Sequence, residues 1–472
     1  METRTLNYVA AACGGELRGG SPTLPVARVV TDSRTLQAGD LFVPLAGERF
    51  DGHDFLGAAA ARGAVATLVA RARLEDVPPD LPAIVVEEPR RSYGELATFY
   101  RREFDLPVVC VGGSNGKTTT KELIAAALSG AAPVLKSESS FNNDVGVPAT
   151  LLRLETRHRA AVLEVGTNHP NELAPLIRMI APRVGVITSI GREHLEFFGN
   201  LAGVIQEEGW LAELLPPAEH GGVLVIDGGE SWSEALIRRT SAKIVTAGLG
   251  PKNDWTASIR AMDWSGTTFS VRAPQANWSG DYSVVLPGRH SVSNALYALA
   301  VAAALGVSSA AARAGLATFQ PPAQRLNVRA AAGVQLLDDT YNANPDSMRA
   351  ALQTLSDLPC SGRRVAVLGD MAELGPHAET AHAEVGSLAQ QLGIDSVFAV
   401  GRFAAHTTSA AGQGLSSAFV RLGDASAAVL HGLKSGDTIL VKGSRTSRME
   451  RMVEALLKQL ELRERAGAVE IA

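Results

Sequence analysis

The sequence is poor in cysteine, in long apolar runs and in excess basic charge, and each of these absences disfavours a class of protein. Only three cysteines occur in 472 residues, in no metal-ligand spacing, as expected in a reducing cytoplasm. No stretch approaches the ~20 apolar residues of a membrane-spanning helix, and Glu and Gly interrupt the apolar residues near the start, which disfavours a secretion signal. A net charge of −5 disfavours nucleic acid or an anionic membrane as the main partner. We therefore expect a cytoplasmic protein with no nucleic-acid partner and no membrane insertion, and we expect it to be a monomer.

The chain is long, moderately apolar and rich in glycine. Its 472 residues exceed one ordinary core, which predicts about three domains. A hydrophobic fraction of 46% with 20% charged residues is typical of a globular protein, and 46 glycines suit an α/β fold with many short strand-to-helix turns. Changes of pattern along the chain predict the domains 1–104, 105–322 and 323–472.

The central region begins with a strand, a glycine-rich loop and a helix. After Pro107 the apolar run VVCVGG leads into SNGKTTT and an alanine-rich helical segment that ends near Gly130. This order is the opening unit of a parallel α/β domain. Further apolar runs are uninterrupted rather than alternating, as in strands covered on both faces. These runs are Ala160–Val165, Val184–Ile190 and Gly222–Ile226.

The remaining patterns also indicate mixed α/β structure. Residues 1–104 combine short apolar runs with turn clusters and end in a helical stretch, Tyr93–Phe104. Alternation between Trp255 and Leu286 predicts an antiparallel extension, and a helix follows with Gly306 as its C-terminal signal. After residue 322, four apolar runs alternate with helical segments, which predicts a second, smaller α/β domain. The runs are Val334–Leu337, Val365–Leu368, Val397–Val400 and Ile439–Val441.

The segment GGSNGKTT, 112–119, follows a strand and precedes a helix, which is the context of a phosphate-binding loop. Glycines let backbone N–H groups curl around phosphate oxygens, and the helix N-terminus adds a favourable dipole. Lys117 is predicted to reach the β- and γ-phosphates, and the Thr118 hydroxyl to bind Mg²⁺. Val111 stands where the usual first glycine belongs. The predicted nucleotide contacts are Gly113, Ser114, Asn115, Gly116, Lys117, Thr118 and Thr119.

Two further polar residues follow later strands, where open α/β sheets place their ligand contacts. Glu164 ends AAVLEVG, and His194 lies in GREHLEFFG after the next strand. Taken alone, Glu164 is more typical of a solvated strand end and His194 of a surface loop. Downstream of a phosphate loop, they predict with Thr118 a Mg²⁺ shell of carboxylate, imidazole, hydroxyl and phosphate oxygens.

The order of these motifs resembles that of the Mur ligases, cytoplasmic enzymes that build the peptide of bacterial cell-wall precursors. TDSR (31–34) and GDLFVPLAGERFDGHDF (39–55) resemble the uridine-nucleotide domain of the family, and GSNGKTTTKE (113–122) its ATP loop. The resemblance implies an α/β fold of three domains: an N-terminal uridine-nucleotide domain, a central parallel-sheet ATPase domain and a C-terminal Rossmann-like domain. It supports Glu164 and His194 as magnesium ligands. It also implies contacts to adenine, phosphate and ribose from Asn294, Arg325 and Asp339, respectively.

The last third resembles the branch that joins D-alanyl-D-alanine to UDP-N-acetylmuramoyl-tripeptide, in DDTYNANPDSM (338–348), VLGDMAELG (367–375) and VKGSRTSRME (441–450). The segment FNNDVGVPATLL (141–152) also resembles this branch. The implied reaction uses ATP and Mg²⁺: a carboxylate attacks the γ-phosphate, and the amine of the dipeptide then attacks the acyl phosphate. Asn344-Pro345 is equally typical of a helix cap. The implied substrate contacts are Ser33, Arg34, Asn143, Asn168, Asn342, Asn344, Ser444 and Arg445.

The chain departs from the family at a lysine that many relatives carbamylate to hold a second Mg²⁺. The corresponding segment is VIQEEGWLAELL, and matching its glycine to Gly209 puts Glu208 at the lysine position. We therefore predict that the side chain of Glu208 itself supplies the metal-binding carboxylate. Glu207 takes this role if the register differs by one. The simpler alternative is that both residues are exposed helical glutamates without a metal role. The predicted catalytic set is Lys117, Glu164, His194 and Glu208. A second departure is Cys110-Val111-Gly112 in place of Gly-x-Thr, and Cys110 is expected to be an inert core residue.

Three alternatives stay open from the sequence. One is a ligase of the same family that adds a different amino acid, which the absence of a DNPR segment disfavours. Another is a folylpolyglutamate-synthase-like ligase, which the DSR and DGH segments of the N-terminal region disfavour. The third is a nucleotide-binding protein without ligase activity, which only the missing lysine favours.

Overall fold

The computed structural model describes residues 1–47, 50–412 and 416–469. Glu48 and Arg49 of the predicted uridine-domain segment 39–55 therefore lie outside the described residues. The chain folds into two compact units. The first comprises Met1–Cys110, Ala132–Thr167 and Glu172–Val184, and the second comprises Val111–Ala131, Asn168–Asn171 and Gly185–Ala472. The domain boundaries near residues 104 and 322 stay a prediction.

Strands and helices alternate along most of the chain. The strands are β1 Arg4–Thr5, β2 Glu16–Arg18, β3 Pro25–Val26, β4 Arg28–Val30, β5 Asp40–Phe42, β6 Ala66–Ala70, β7 Ala83–Val86, β8 Val108–Gly112, β9 Val134–Lys136, β10 Ala160–Glu164, β11 Val184–Ile187, β12 Val223–Ile226, β13 Lys243–Thr246, β14 Thr256–Asp263, β15 Gly266–Arg272, β16 Gly280–Val284, β17 Asn327–Ala331, β18 Val334–Asp339, β19 Arg364–Gly369, β20 Ser396–Val400, β21 Ser416–Phe419 and β22 Thr438–Lys442.

The α-helices lie between these strands and cover their faces. They are α1 Leu6–Ala12, α2 Leu56–Ala61, α3 Pro89–Arg101, α4 Lys117–Ser129, α5 Gly146–Leu151, α6 Leu173–Ile180, α7 Leu195–Phe198, α8 Leu201–Glu213, α9 Ser233–Ile237, α10 Arg289–Ala304, α11 Ser309–Leu316, α12 Pro345–Asp357, α13 Ala378–Gln391, α14 Ala404–Ala411, α15 Leu422–Gly432 and α16 Glu450–Val469. No helix in the described part of the chain has both the length and the apolarity to cross a membrane.

The first unit contains a five-stranded sheet in the order β2-β7-β6-β5-β4. Its strands β4 to β7 pair in parallel, and β2 closes one edge in antiparallel pairing. Phe42, Leu56, Val69 and Val85 belong to a buried apolar cluster against this sheet. Strands β9 and β10 of the same unit also pair in parallel.

Helix α3 begins earlier and ends earlier than the predicted stretch Tyr93–Phe104. It starts at Pro89, whose fixed φ suits the first helical position. The Glu88 side chain before it accepts hydrogen bonds from the N–H groups of Arg90 and Arg91. It ends at Arg101, whose guanidinium donates to the carbonyl groups of Phe104 and Ile180.

The second unit contains the predicted antiparallel extension and the predicted smaller α/β sheet. Strands β14, β15 and β16 form a three-stranded antiparallel sheet. The C-terminal sheet has the order β17-β18-β22-β19-β20-β21, and only β17 runs antiparallel to its neighbour. Strands β12 and β13 pair in parallel. These sheets confirm the mixed α/β class.

Uninterrupted apolar runs do correspond to buried strands. Every residue of β8, β10, β11, β12 and β22 is buried. Cys110 in β8 is fully buried, as expected of a core residue. Because these strands are covered on both faces, the polar groups that bind ligands are confined to their ends.

Candidate functional site

The loop between β8 and α4 has the backbone of a phosphate-binding loop. Gly113 and Gly116 adopt φ values of 107° and 85°, and Gly116 is the residue before the first turn of α4. The N–H of Ser114 donates to the carbonyl of Ser189 at 2.8 Å, and the N–H of Asn115 donates to the Ser189 hydroxyl at 2.9 Å. The loop is therefore held against the segment after β11, with the N-terminus of α4 at its end.

Only glycine fits the two positive-φ positions. A Cβ on Gly113 would lie 2.7 Å from both the Ser189 carbonyl oxygen and the Thr188 hydroxyl. A Cβ on Gly116 would lie 2.8 Å from Oδ1 of Asn294. Asn294, the predicted adenine contact, is buried in α10 and thus faces the loop.

Replacing Gly116 by alanine should weaken ADP binding about tenfold. Alanine in a left-handed conformation costs about 1–2 kcal/mol. The free loop should therefore relax to another conformation, and ADP must restore this one at a cost of about 1.4 kcal/mol, which is a tenfold change in affinity. Calorimetric titration with ADP measures the change. Gly423→Ala is the matched control, since a Cβ at Gly423 meets no atom within 4 Å. Unchanged ADP affinity in Gly116→Ala would contradict the assignment of the loop.

The Lys117 ammonium lies over the loop. Its Nζ donates to the carbonyl oxygens of Gly113 at 2.5 Å and Ser114 at 3.1 Å. Oε2 of Glu193 is 3.8 Å from the same nitrogen. The charge that is predicted to contact β- and γ-phosphates is therefore already in the loop.

Two buried oxygen atoms of the predicted magnesium residues have no hydrogen-bond partner among the residues that the structure describes. Thr118 is 3% exposed, and its Oγ1 has no hydrogen-bond partner among the described residues. In the first unit, Glu164 is 1% exposed; its Oε1 accepts from Asn142, whereas Oε2 has no partner within the described chain. A buried polar atom left unpaired costs about 1–3 kcal/mol. A hydroxyl and a carboxylate oxygen are ligands that Mg²⁺ takes, so both atoms fit a cation.

Glu208 lies directly behind the phosphate loop. Its side chain is 1% exposed, and Oε2 accepts a 2.7 Å hydrogen bond from the N–H of Gly113. Burial raises the pKa of Glu208 to about 7; the Lys117 ammonium opposes this shift, and the neighbouring carboxylates add to it. Glu207 instead accepts from the N–H of Asn171 at 2.9 Å. Glu208 thus contacts the loop, and both glutamates are buried rather than exposed.

His194 is held by a residue that the sequence did not single out. Its backbone is left-handed, with φ 50°. Its Nδ1 hydrogen-bonds Oε2 of Glu373, which lowers the pKa of Glu373. Its Nε2 lies 3.8 Å from Oε2 of Glu193. Within the described ranges, no three His, Cys, Asp or Glu side chains gather as a metal site. The magnesium set of Thr118, Glu164, His194 and Glu208 therefore stays a prediction.

The ends of β18 and β22 carry an ion pair between a buried lysine and a partly exposed aspartate. Asp339 and Lys442 are register partners in these parallel strands, and Nζ of Lys442 lies 2.5 Å from Oδ2 of Asp339. The same nitrogen donates to the Asn342 carbonyl at 2.9 Å, and Lys442 is only 2% exposed. The predicted ribose contact, Asp339, therefore also fixes the segment around Asn342. Lys442 lies in the segment VKGSR, but the residues around it do not predict that it pairs with Asp339.

Other predicted residues of this region gather around Tyr341. Cζ of Arg325 lies 4.0 Å and that of Arg445 lies 5.7 Å from the centroid of the Tyr341 ring. The N–H of Arg445 donates to Oδ1 of Asn342 at 3.4 Å. Ser444, by contrast, is 0% exposed and hydrogen-bonds two neighbouring hydroxyl groups.

Asn344 forms the helix cap that its sequence predicts. Its Oδ1 accepts from the N–H of Ser347 at 2.8 Å, and its own N–H donates to the Ser347 hydroxyl at 3.0 Å. Its side chain also contacts Asn115 of the phosphate loop. Asn168 is exposed on the second unit.

The predicted substrate residues of the first unit are mostly engaged in local turns. Arg34 is exposed, and its guanidinium lowers the pKa of Asp32 to about 2. Ser33 begins the short 3₁₀ turn that Asp32 caps. Asn143 is exposed and accepts from the N–H of Gly146 at the start of α5. In the DGH segment, Asp51 holds Nδ1 of His53, and Nε2 accepts from Ala70 N–H at 3.2 Å.

The chain matches three family models in order. They are described as Mur ligase family, catalytic domain, over residues 25–101; Mur ligase middle domain, over 111–302; and Mur ligase, glutamate ligase domain, over 324–445. The chain is 39% identical over 458 residues to UDP-N-acetylmuramoyl-tripeptide--D-alanyl-D-alanine ligase of Escherichia coli K12, covering 97% of this chain and 99% of that protein. The protein of the same name from Bacillus subtilis is 33% identical over 97% and 99% of the two chains.

Solved structures agree with these sequence matches. A crystal structure of MurF from Acinetobacter baumannii superposes with a TM-score of 0.90 at 32% identity, covering 97% of this chain and 99% of that one. The structure of MurF from Thermotoga maritima in complex with ADP gives a TM-score of 0.82 at 26% identity, over 92% and 98% of the two chains.

Proposed function

Because the chain belongs to the Mur ligase family, we propose that it joins D-alanyl-D-alanine to UDP-N-acetylmuramoyl-tripeptide in an ATP-dependent reaction. The observation that carries the proposal is the glycine-rich loop with Lys117 and the Thr118 hydroxyl, which has no partner among the described residues. The chain that contains it matches the D-alanyl-D-alanine ligase of Escherichia coli over 97% of its length. The chain is an enzyme that forms an amide bond, in the synthesis of peptidoglycan precursors. We place the reaction in the cytoplasm, as the low cysteine count indicates, and expect a monomer.

The reaction proceeds in two transfers. An oxygen of the terminal tripeptide carboxylate bonds to the γ-phosphorus of ATP while the bond to the β–γ bridging oxygen breaks, which releases ADP. The amine of the dipeptide then bonds to the acyl carbon, loses a proton, and expels the acyl oxygen with the phosphate. Negative charge accumulates on the transferring phosphoryl group in the first step. The Lys117 ammonium in the loop and the N–H groups at the start of α4 would stabilise that charge.

We propose that Mg²⁺ binds to side-chain oxygen and nitrogen atoms of Thr118, Glu164, His194 and Glu208. Mg²⁺, when bound, would neutralise phosphate charge and orient the γ-phosphate. The Thr118 hydroxyl and Oε2 of Glu164 fit because neither has a partner in the described chain. Nε2 of His194 is the ring nitrogen that Glu373 does not hold. Glu208 would contribute the carboxylate that relatives obtain from carbamylated lysine, while its Oε2 supports Gly113.

Phosphate release should require ATP, Mg²⁺, UDP-N-acetylmuramoyl-tripeptide and D-alanyl-D-alanine together. Omitting the dipeptide should leave little release, because the acyl phosphate is consumed only slowly when water is excluded from the site. The rate of phosphate release should not rise when bicarbonate is added to CO₂-depleted buffer, because a carboxylate encoded at Glu208 does not depend on carbamylation. A coupled assay for phosphate, with mass detection of the pentapeptide product, measures both points.

Other outcomes of this assay favour the alternatives. Release with another amino acid in place of the dipeptide would indicate a different Mur-type ligase. ADP binding without release under any of these conditions would indicate a nucleotide-binding protein. A rate that depends on bicarbonate would contradict a carboxylate encoded at Glu208.

A further inference from the structure

Two asparagine side chains join the phosphate loop to the N-terminus of α12. Nδ2 of Asn344 donates to Oδ1 of Asn115 at 2.9 Å, and Nδ2 of Asn115 donates to Oδ1 of Asn344 at 3.3 Å. The two residues are 229 positions apart in the chain. One lies between β8 and α4, and the other is the residue before the first turn of α12.

The helix cap fixes which way the Asn344 amide faces. Its Oδ1 accepts from the Ser347 N–H of the first turn, so this atom must be the oxygen and the other the NH₂ group. The NH₂ group is then directed to the Asn115 oxygen. Asn344 is buried, so an amide group that lost this partner would have to be hydrated or left unpaired.

A second route connects the same two segments. The Ser114 hydroxyl accepts from the N–H of Gly191 at 2.8 Å, and the next N–H, of Arg192, donates to Oδ2 of Asp346 at 2.7 Å. Asp346 lies in the first turn of α12, where a carboxylate is favoured by the helix dipole. The Arg192 guanidinium also pairs with Glu384 at 2.7 Å. The loop and the helix start are therefore also joined through the backbone of residues 191 and 192.

From this arrangement we propose that Asn115 and Asn344 are positioning residues that couple nucleotide binding in the phosphate loop to the placement of residues 342–344. A ligand that favours the loop conformation in which Asn115 faces Asn344 also favours the docked position of α12, and the coupling is reciprocal. The role toward the dipeptide rests on the proposed function. The coupling itself requires only that the loop binds nucleotide.

Asparagine-to-aspartate substitutions test the hydrogen bonds between the two amide groups without removing the helix cap. Asn344→Asp keeps a good capping side chain and still accepts from Nδ2 of Asn115, but it cannot donate. Asn115→Asp still accepts from Nδ2 of Asn344. Each single variant thus keeps one hydrogen bond, whereas the double variant keeps neither and places two carboxylates face to face. The effect of the double variant should exceed the product of the single effects.

The test is amide hydrogen exchange of the segment 342–350 with and without ADP and MgCl₂, together with the Kd of ADP. In the wild type, ADP should slow exchange in this segment, and the double variant should lose that protection and bind ADP at least about fivefold more weakly. In turnover, the KM for dipeptide should rise more than kcat falls. Asn200→Asp is the matched control, because Asn200 caps α8 through Gly203 and is exposed.

The outcomes separate this proposal from the proposed function. Wild-type protection that persists unchanged in the double variant, or absence of any ADP-induced protection in the wild type, would overturn the coupling even if the protein is an active ligase. Coupling that is lost in the double variant of a protein without ligase activity would support the amide pair and overturn the proposed function. If the double variant does not fold, the two single variants must each reduce the protection, and equality with the wild type would again overturn the coupling.

Discussion

Lys117→Met should lower kcat for amide formation by about three to five orders of magnitude, the range found when a cation that stabilises a transferring phosphoryl group is removed. Methionine keeps the length and apolar stem of the side chain while removing the charge. The Lys117 ammonium lies 2.5 Å from the Gly113 carbonyl oxygen and thus within the loop that would hold the phosphates. Because the charge matters most in the transition state, ADP binding should weaken far less than kcat falls.

The measurement is phosphate release at saturating substrates, combined with calorimetric titration of ADP. Lys458→Met is the matched control, since Lys458 is exposed on α16, and it should retain wild-type activity. A Lys117→Met protein within tenfold of the wild-type kcat would show that this ammonium does not act on the transferring group.

Changes at Glu208 should distinguish a metal carboxylate from a support for the loop. Glu208→Gln keeps a neutral acceptor for the N–H of Gly113, whereas Glu208→Ala removes the acceptor and leaves a cavity. If the carboxylate charge holds a cation, both variants should lose at least about 10–100-fold in activity, and both should require more Mg²⁺ for half-maximal rate. If Glu208 only supports the loop, Glu208→Gln should behave like the wild type.

Two comparisons make the result specific to this residue. Glu207→Gln tests the register, because Glu207 accepts a hydrogen bond from the N–H of Asn171, and its effect should be the smaller one. Binding of Mn²⁺ in the presence of ADP, followed by electron paramagnetic resonance, reports on the cation without turnover. Unchanged activity of Glu208→Ala would refute the metal role.

Local patterns were sufficient to predict the buried strands and the phosphate loop. The loop needs glycine at two positive-φ positions and a lysine in the first helical turn, and all of these lie within five consecutive residues, 113–117. Runs such as Val365–Leu368 are apolar without interruption because β19 is covered on both faces. Strands β17 and β21 were missed because they lie at the edges of their sheet and are partly exposed, so their apolar pattern is weak.

The contacts that complete the site could not be predicted from local patterns. Lys442 and Asp339 are 103 positions apart, His194 and Glu373 are 179 apart, and Asn115 and Asn344 are 229 apart. Each pair forms only when strands or loops from distant parts of the chain meet. The motifs that contain these residues were evident in the sequence, but a local motif does not predict which distant residue it will contact in the fold.

In the proposed function, nucleotide binding at Lys117 would be an exchange of hydrogen-bond acceptors. Two backbone carbonyl oxygens, of Gly113 and Ser114, hold its ammonium in this structure, so an incoming group must compete with them. Charged phosphate oxygens are stronger acceptors than neutral carbonyls, whereas an uncharged ligand has no such advantage. If this loop binds the nucleotide, as we propose, its lysine would therefore favour anionic groups over uncharged ones.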